Sequence, residues 1–198
     1  MAHPISLATE GLDDQAVAQK LCAVLAIPVK AAYPAGGKAK LDPKLLAYNQ
    51  ASALGPWLVL RDLDFDAPCP GELCKQLLRN KSSKLLLRIP VRSIESWLLA
   101  DSTSLAGYLR ISKILIPTDP DKLDYPKQDL VNLARRSRNR QVREAMVPPE
   151  GHSSLVGPGY TSSVIDYVRD HWDPLRASLA SASLRRCLVA LRGISGQC

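Results

Sequence analysis

Carboxylates fall at the ends of three apolar segments that read as β-strands, a spacing that could assemble a divalent-cation site. Ile5-Ser6-Leu7-Ala8-Thr9 runs into Glu10-Gly11, with Asp14 one helical turn further on. Trp57-Leu58-Val59-Leu60 runs into Asp62-Leu63-Asp64, and Leu85-Leu86-Leu87-Arg88-Ile89 is followed, past Pro90, by Glu95. Like charges repel, so several carboxylates aimed at one spot call for a cation between them. Hard oxygen donors suit Mg²⁺ or Mn²⁺, and those ions mostly serve phosphoryl chemistry. Glu10 leads the catalytic candidates because it precedes a helix rather than sitting in its first turn, and Gly11 permits close backbone approach. Asp62 and Asp64 are two residues apart, so a strand continued through them would point both the same way.

Each acid also has a simpler use. Asp13 and Asp14 favour the positive end of a helix, Asp62 to Asp66 could form a polar turn capping the next helix, and Glu95 in Ser93-Ile94-Glu95-Ser96 falls in a first helical turn. A calcium loop opened by Asp62-Leu63-Asp64-Phe65-Asp66 is excluded, because Ala67 stands where Gly is required and Leu73 where Glu is. Gly36-Gly37-Lys38-Ala39-Lys40 lacks the Ser or Thr that a nucleotide-binding loop needs after its Lys. Lys38 and Lys40 could grip a backbone phosphate from a flexible loop, or the segment is only a turn. His3, His152 and His171 lie in unrelated contexts, which argues against a His-centred site.

The elements that must position these residues alternate. Strands are expected at Ile5–Thr9, Val29–Tyr33, Trp57–Arg61 and Lys84–Ile89. Helices are expected from Asp13 to about Ala26, from Asp42-Pro43 to about Gly55, from Pro70 to about Arg79 and, capped by Ser93, to Ala100. That order implies a parallel sheet with helices on both faces, and ligands in such sheets collect beyond the carboxyl ends of the strands. After Asp101 the pattern turns helical: Ser102–Arg110, a Pro-rich loop from Ile116 to Pro126, and Lys127–Arg136. A second loop runs through Pro148-Pro149 to Gly157-Pro158-Gly159-Tyr160, read as a rigid turn before a helix. Helices at Thr161–His171 and Ser183–Leu191 follow, the last ended by Gly193 as a C-cap. Residues 1–101 read as an α/β core and residues 102–198 as a helical section packed on it.

Composition sets the outer bounds. The 198 residues are 46% apolar, enough for a core, and with one Phe the packing falls to Leu, Val, Ile and Ala. No apolar run reaches membrane-spanning length, so no membrane partner is expected. Met1-Ala2-His3-Pro4 carries no signal pattern, and Cys22, Cys69, Cys74, Cys187 and Cys198 are scattered without zinc spacing; free thiols in a reducing cytoplasm are expected. The net charge of +7 favours polyanionic partners. Arg135, Arg136, Arg138, Arg140 and Arg143 crowd together, either as a solvated face or as a nucleic-acid contact. Arg88 and Arg92 flank the Glu95 corner and could bind phosphate or form surface ion pairs.

Thr9-Glu10-Gly11 with Asp14, then Asp62-x-Asp64 after an apolar strand, resembles the TOPRIM (topoisomerase–primase) domain over about residues 5–100. The Glu10 to Asp14 spacing and the later Glu95 look most like the OLD (overcoming lysogenization defect) group of nucleases. A wider resemblance is to a small stand-alone TOPRIM-like bacterial family, often encoded beside an ATPase. It rests on Gly36-Gly37-Lys38, Trp57 through Asp64, Arg88 through Asp101, Pro126-Lys127 and Gly157-Pro158-Gly159-Tyr160. The resemblance implies a TOPRIM-like parallel sheet and a Mg²⁺- or Mn²⁺-dependent nuclease of DNA or RNA. Glu10, Asp62 and Asp64 would hold one ion, Asp14 and Glu95 would complete a second site, and Lys127 would be the basic catalytic residue. It further implies anti-phage defence, a separately encoded ATPase partner and a possible homo-oligomer. The chain lacks a tyrosine-nucleophile domain, which argues against topoisomerase activity. Two other functions stay open: a non-catalytic accessory subunit binding an ATPase or nucleic acid, and a toxin acting on cellular RNA.

Overall fold

A computed structural model describes residues 3–194; Met1, Ala2 and Cys198 lie outside the described residues. Four apolar segments form the strands β1 (Ile5–Thr9), β2 (Val29–Pro34), β3 (Trp57–Leu60) and β4 (Leu85–Arg88). They build one parallel sheet in the order β2-β1-β3-β4. The period-two alternation of strand side chains divides two apolar layers. Ile5, Leu7, Leu58, Leu60 and Leu86 face one side, whereas Ala8, Val59, Leu85 and Leu87 face the other.

Helix α1 (Leu12–Val24) covers the first face with Val17 and Leu21. The second face is covered by Leu41 at the end of a short helix α2 (Lys38–Leu41) and by Leu45 of α3 (Leu45–Ala51), while α4 (Pro70–Leu77) closes its outer part. The chain winds outward from β1 to β2, then returns past β1 to β3 and continues to β4. With a constant crossover hand, that reversal sends successive helices to opposite faces. The reversal also opens a crevice between the carboxyl ends of β1 and β3.

The remaining helices are α5 (Glu95–Leu99), α6 (Ser102–Leu109), α7 (Pro126–Arg135), α8 (Arg140–Met146), α9 (Tyr160–Asp170), α10 (Pro174–Ala177) and α11 (Ala182–Ile194). They pile onto the α1 side, so one apolar cluster runs from Ile5 to Leu191 and includes Trp97 and Trp172. Both indoles find partners: Trp97 Nε1 donates to Ser183 Oγ at 2.7 Å and Trp172 Nε1 to the Trp97 carbonyl at 3.2 Å. Among the described residues no helix is long and apolar enough to cross a membrane.

Several expected elements differ. The helix expected from Asp42 to Gly55 is broken into α2, a 3₁₀ turn at Asp42–Lys44, α3 and a second 3₁₀ turn at Ser52–Leu54. The loop expected before Gly157 contains α8, whose Asn139 cap accepts from the Val142 N–H. Helix α11 passes through Gly193, which is therefore not its C-cap. Ser93 does not cap α5 either; its hydroxyl donates to the Glu95 carboxylate at 2.5 Å.

Gly157 sits where α8 meets the turn into α9. A Cβ there would lie 2.4 Å from the Ala145 carbonyl oxygen and 2.7 Å from that of Val147. Backbone cannot yield as a side chain does, so Gly157→Ala is expected to cost about 1–3 kcal/mol and lower the thermal midpoint by on the order of 5 °C in calorimetry.

Candidate metal centre at the strand ends

Glu10 leaves β1 and Asp62 leaves β3 at the crevice where the winding reverses. They are joined directly: the Asp62 N–H donates to Glu10 Oε1 at 2.9 Å. Glu10 is held from the other side by a two-glycine loop. The Gly36 and Gly37 N–H groups both donate to its carbonyl, at 2.8 and 2.9 Å. Their φ angles of 82° and 107° are ones that side-chain-bearing residues rarely adopt. Asp14 folds back so that its Oδ2 accepts from the Gly11 N–H at 2.8 Å. A Cβ on Gly11 would stand 2.6 Å from Asp13 Oδ1, so the glycine permits this tight return.

Glu95 completes the corner from below and is fully enclosed. Tyr160 OH donates to its Oε1 at 2.8 Å, Ser93 Oγ donates to Oε2, and Lys127 Nζ lies 3.2 Å from Oε1. Asp62 Oδ1 is also enclosed, yet has no hydrogen-bond partner among the described residues. Buried polar atoms are nearly always paired, and an orphaned carboxylate oxygen marks a place where something else belongs.

The electrostatics follow from this crowding. Burial, then the charges of Asp14, Glu95 and Glu10, push the Asp62 carboxyl well above its ordinary range, against the opposing pull of Lys127. Burial and the neighbouring Asp13 charge raise Asp14 to about 7, with Glu10 and Glu95 adding to the shift. Burial raises Glu10 more weakly, because the Asp62 N–H and the Arg61 charge favour its ionised form. Burial alone would lower the Lys127 ammonium, but Glu95, Asp13 and Asp62 outweigh it and raise the group. Lys127 therefore stays charged throughout the physiological range.

Among the described residues no three His, Cys, Asp or Glu side chains are already grouped as a ligand set. The donor chemistry fits a hard divalent cation all the same. Every acidic donor is a carboxylate, Asp62 Oδ1 is unpartnered, and the mutual repulsion is relieved by positive charge. Glu10, Asp14 and Asp62 are the residues that would hold the ion, with Glu95 behind them gripping Lys127.

Asp64 departs from the expected arrangement. The strand ends at Leu60, and Asp64 has a φ of 46°, so it does not project beside Asp62 as a continued strand would require. Its Oδ2 accepts from Lys38 Nζ at 2.7 Å, and Lys38 also reaches Asp66 at 2.9 Å. Lys38 is thus committed to carboxylates instead of standing free for phosphate, and Lys40 is exposed on the same short helix. Arg88 and Arg92 do not share a corner. Arg92 donates to the Asp64 carbonyl at 2.9 Å, whereas Arg88 lines a separate cavity of about 450 Å³ between α4 and α11, where its Nε is buried without a partner. Arg135, Arg136, Arg138 and Arg140 are exposed around the far end of α7 and the start of α8. About 12 Å of helix separates Arg135 from Lys127.

Three participants carried no assigned role in the sequence. Arg61, 3% exposed, lies 2.5 Å from Asp66 and 3.1 Å from Asp42, and also donates to the Asp62 carbonyl. Asp42 read only as a helix cap, and Tyr160 as the end of a rigid turn within a segment shared with the TOPRIM-like resemblance. Compared with protein-family models, curated proteins and solved structures, the chain matches none of them.

A raised carboxyl pKa means that the folded protein holds a proton the unfolded chain has released. Stability from Asp14 is full below the unfolded value of about 3.8 and is lost as pH rises through about 7, and the Asp62 contribution falls in the same direction as pH rises. The carboxyls held low, at Asp66, Asp101 and Asp170, change only below that window. Metal-free protein is therefore expected to melt higher at pH 5 than at pH 8, by on the order of 2 kcal/mol, and Asp14→Asn to flatten the profile. Circular-dichroism melts across that range check it; a midpoint that climbs toward pH 8 contradicts it.

Proposed function

We propose that this chain is a Mg²⁺- or Mn²⁺-dependent phosphodiesterase acting on nucleic acid, a nuclease of TOPRIM-like type. The observation that carries the reading is the enclosed, unpartnered Asp62 Oδ1 amid Glu10, Asp14 and Glu95 at the reversal point of a parallel sheet. A bound ion would supply Lewis acidity toward a phosphoryl oxygen and a more acidic attacking water. The chain's own residues supply the rest. Glu10 and Asp62 hold each other in register through the Asp62 N–H. The permanently charged Lys127 contributes attraction for a phosphate oxygen rather than a mobile proton. Tyr160 and Ser93 fix Glu95, and Glu95 in turn fixes the Lys127 ammonium. A role in anti-phage defence beside an ATPase rests on the TOPRIM-like resemblance alone.

A second reading, the non-catalytic accessory subunit, is favoured by the internal pairing of the outer acids. Lys38 and Arg61 already neutralise Asp42, Asp64 and Asp66. The two readings part in a cleavage assay on labelled DNA and RNA with Mn²⁺. The nuclease reading expects cleavage by the wild type that falls to background in Glu10→Ala and Asp62→Ala, both still folded by circular dichroism. Wild-type protein that cuts nothing, or Asp62→Ala that cuts equally well, contradicts it.

A further inference from the structure

The face beside the acid corner carries two aromatic rings that the core does not use. Phe65, the only phenylalanine in the chain, is 60% exposed, and Tyr125 is 65% exposed. Their centroids lie 5.6 Å apart with the rings tilted by 49°. The Arg92 guanidinium sits 4.3 Å from the Phe65 centroid, anchored to the Asp64 carbonyl and to Asp124 Oδ1 at 3.3 Å. These three side chains line one wall of a groove of about 190 Å³, with Leu155 also on its rim.

The groove ends on Asp62 and Lys127. The adjoining depression that holds Glu10 and Asp14, about 250 Å³ in volume, is lined by the same two residues. The two hollows therefore adjoin, an acidic one and an aromatic one, with an ammonium at their border. Phosphate and base occupy a nucleotide in that same succession. Of the three carboxylates that line the groove, Asp64 is paired with Lys38 and Asp124 with Arg92, so neither of these opposes a polyanion with its full charge; the third, Asp62, belongs to the acid corner itself.

Exposed aromatic and guanidinium planes offer stacking surfaces for a nucleobase, and every base has a π-face to give. In a duplex those faces are covered by neighbouring base pairs, so only an unpaired base can use the platform. The guanidinium is held in place because Asp64 and Arg92 bond each other twice: the Asp64 N–H donates to the Arg92 carbonyl at 2.7 Å, and Arg92 Nη1 donates in return.

We propose that Phe65, Tyr125 and Arg92 stack one unpaired base next to the phosphate drawn to Lys127, which makes single-stranded nucleic acid the substrate class. The proposal rests on reading the neighbouring corner as a phosphodiester site. The test is fluorescence anisotropy with one labelled oligonucleotide, presented as a single strand and as a blunt duplex. Ca²⁺ replaces Mg²⁺ in the buffer to screen the carboxylates. The wild type is expected to bind the single strand more tightly. Phe65→Ala and Tyr125→Ala are expected to weaken that binding by about tenfold or more while leaving duplex binding and the thermal midpoint unchanged. Phe65→Tyr and Tyr125→Phe, which keep a ring, should retain it. Equal affinity for both forms, or unchanged binding by the alanine variants, overturns the proposal. So does loss of self-association in those variants without any loss of nucleic-acid binding, which would make the groove a protein contact. Cleavage is scored separately with Mn²⁺. Ring-dependent binding by a wild type that does not cleave supports the stacking platform and removes only the catalytic reading.

Discussion

Repulsion among the crowded carboxylates of Asp62, Asp14, Glu95 and Glu10, with Lys127 as the cation set against Asp62 and Glu95, is the constraint around which this end of the molecule is organised. Such a corner holds together only if the scaffold is stiffer than the repulsion. Here the stiffness comes from backbone. Glu10 and Asp62 are bound through an amide of the sheet's own reversal point, and the Gly36-Gly37 loop clamps Glu10 from outside. Glu95 is fixed by a tyrosine, a serine and a lysine contributed by three different parts of the chain. Asp62 Oδ1 is left with no partner among the described residues.

The acids fall into an outer and an inner set, and the difference lies in their countercharges. Arg61 and Lys38 serve the outer set, Asp42, Asp64 and Asp66. That pairing lets the β3–α4 connection turn sharply at Asp64, whose positive φ is matched by that of Arg92 across two hydrogen bonds. Strained backbone of this kind persists only where its surroundings over-determine it. Its consequence is spatial: Asp64 swings toward Lys38, and Phe65 stands out from the surface beside the acid corner.

The parallel sheet was legible because its strands are short apolar runs broken by turn residues, and Ile5–Thr9 matches the expected strand end for end. Glu10, Asp62 and Asp64 were readable as acids at strand ends, while Asp14, Glu95 and Lys127 took their places in the site only through the TOPRIM-like resemblance; the structure places all of these but Asp64 around one corner. What did not show was direction. Whether Asp64 accompanies Asp62 depends on one backbone angle that residue type does not specify. Whether Arg88 joins Arg92 depends on which side of the edge strand each residue leaves. Helix α8 hid in a segment with prolines at its far end, since a seven-residue helix is too short for its periodicity to stand out. The contact of Tyr160 with Glu95 was not visible, because a contact between residues 65 positions apart has no local signature.

Burial and neighbouring charge favour the protonated forms of Asp14 and Asp62, so a divalent ion must displace protons from them as it binds. Calorimetric titration of Mn²⁺ at pH 6.5, repeated in two buffers of different ionisation heat, measures that release directly. Saturable binding with net proton release in the wild type, abolished in Asp62→Asn, is the predicted result. Absence of binding at millimolar Mn²⁺, or binding by Asp62→Asn with the same affinity and proton count, would contradict the assignment of this corner as a metal centre.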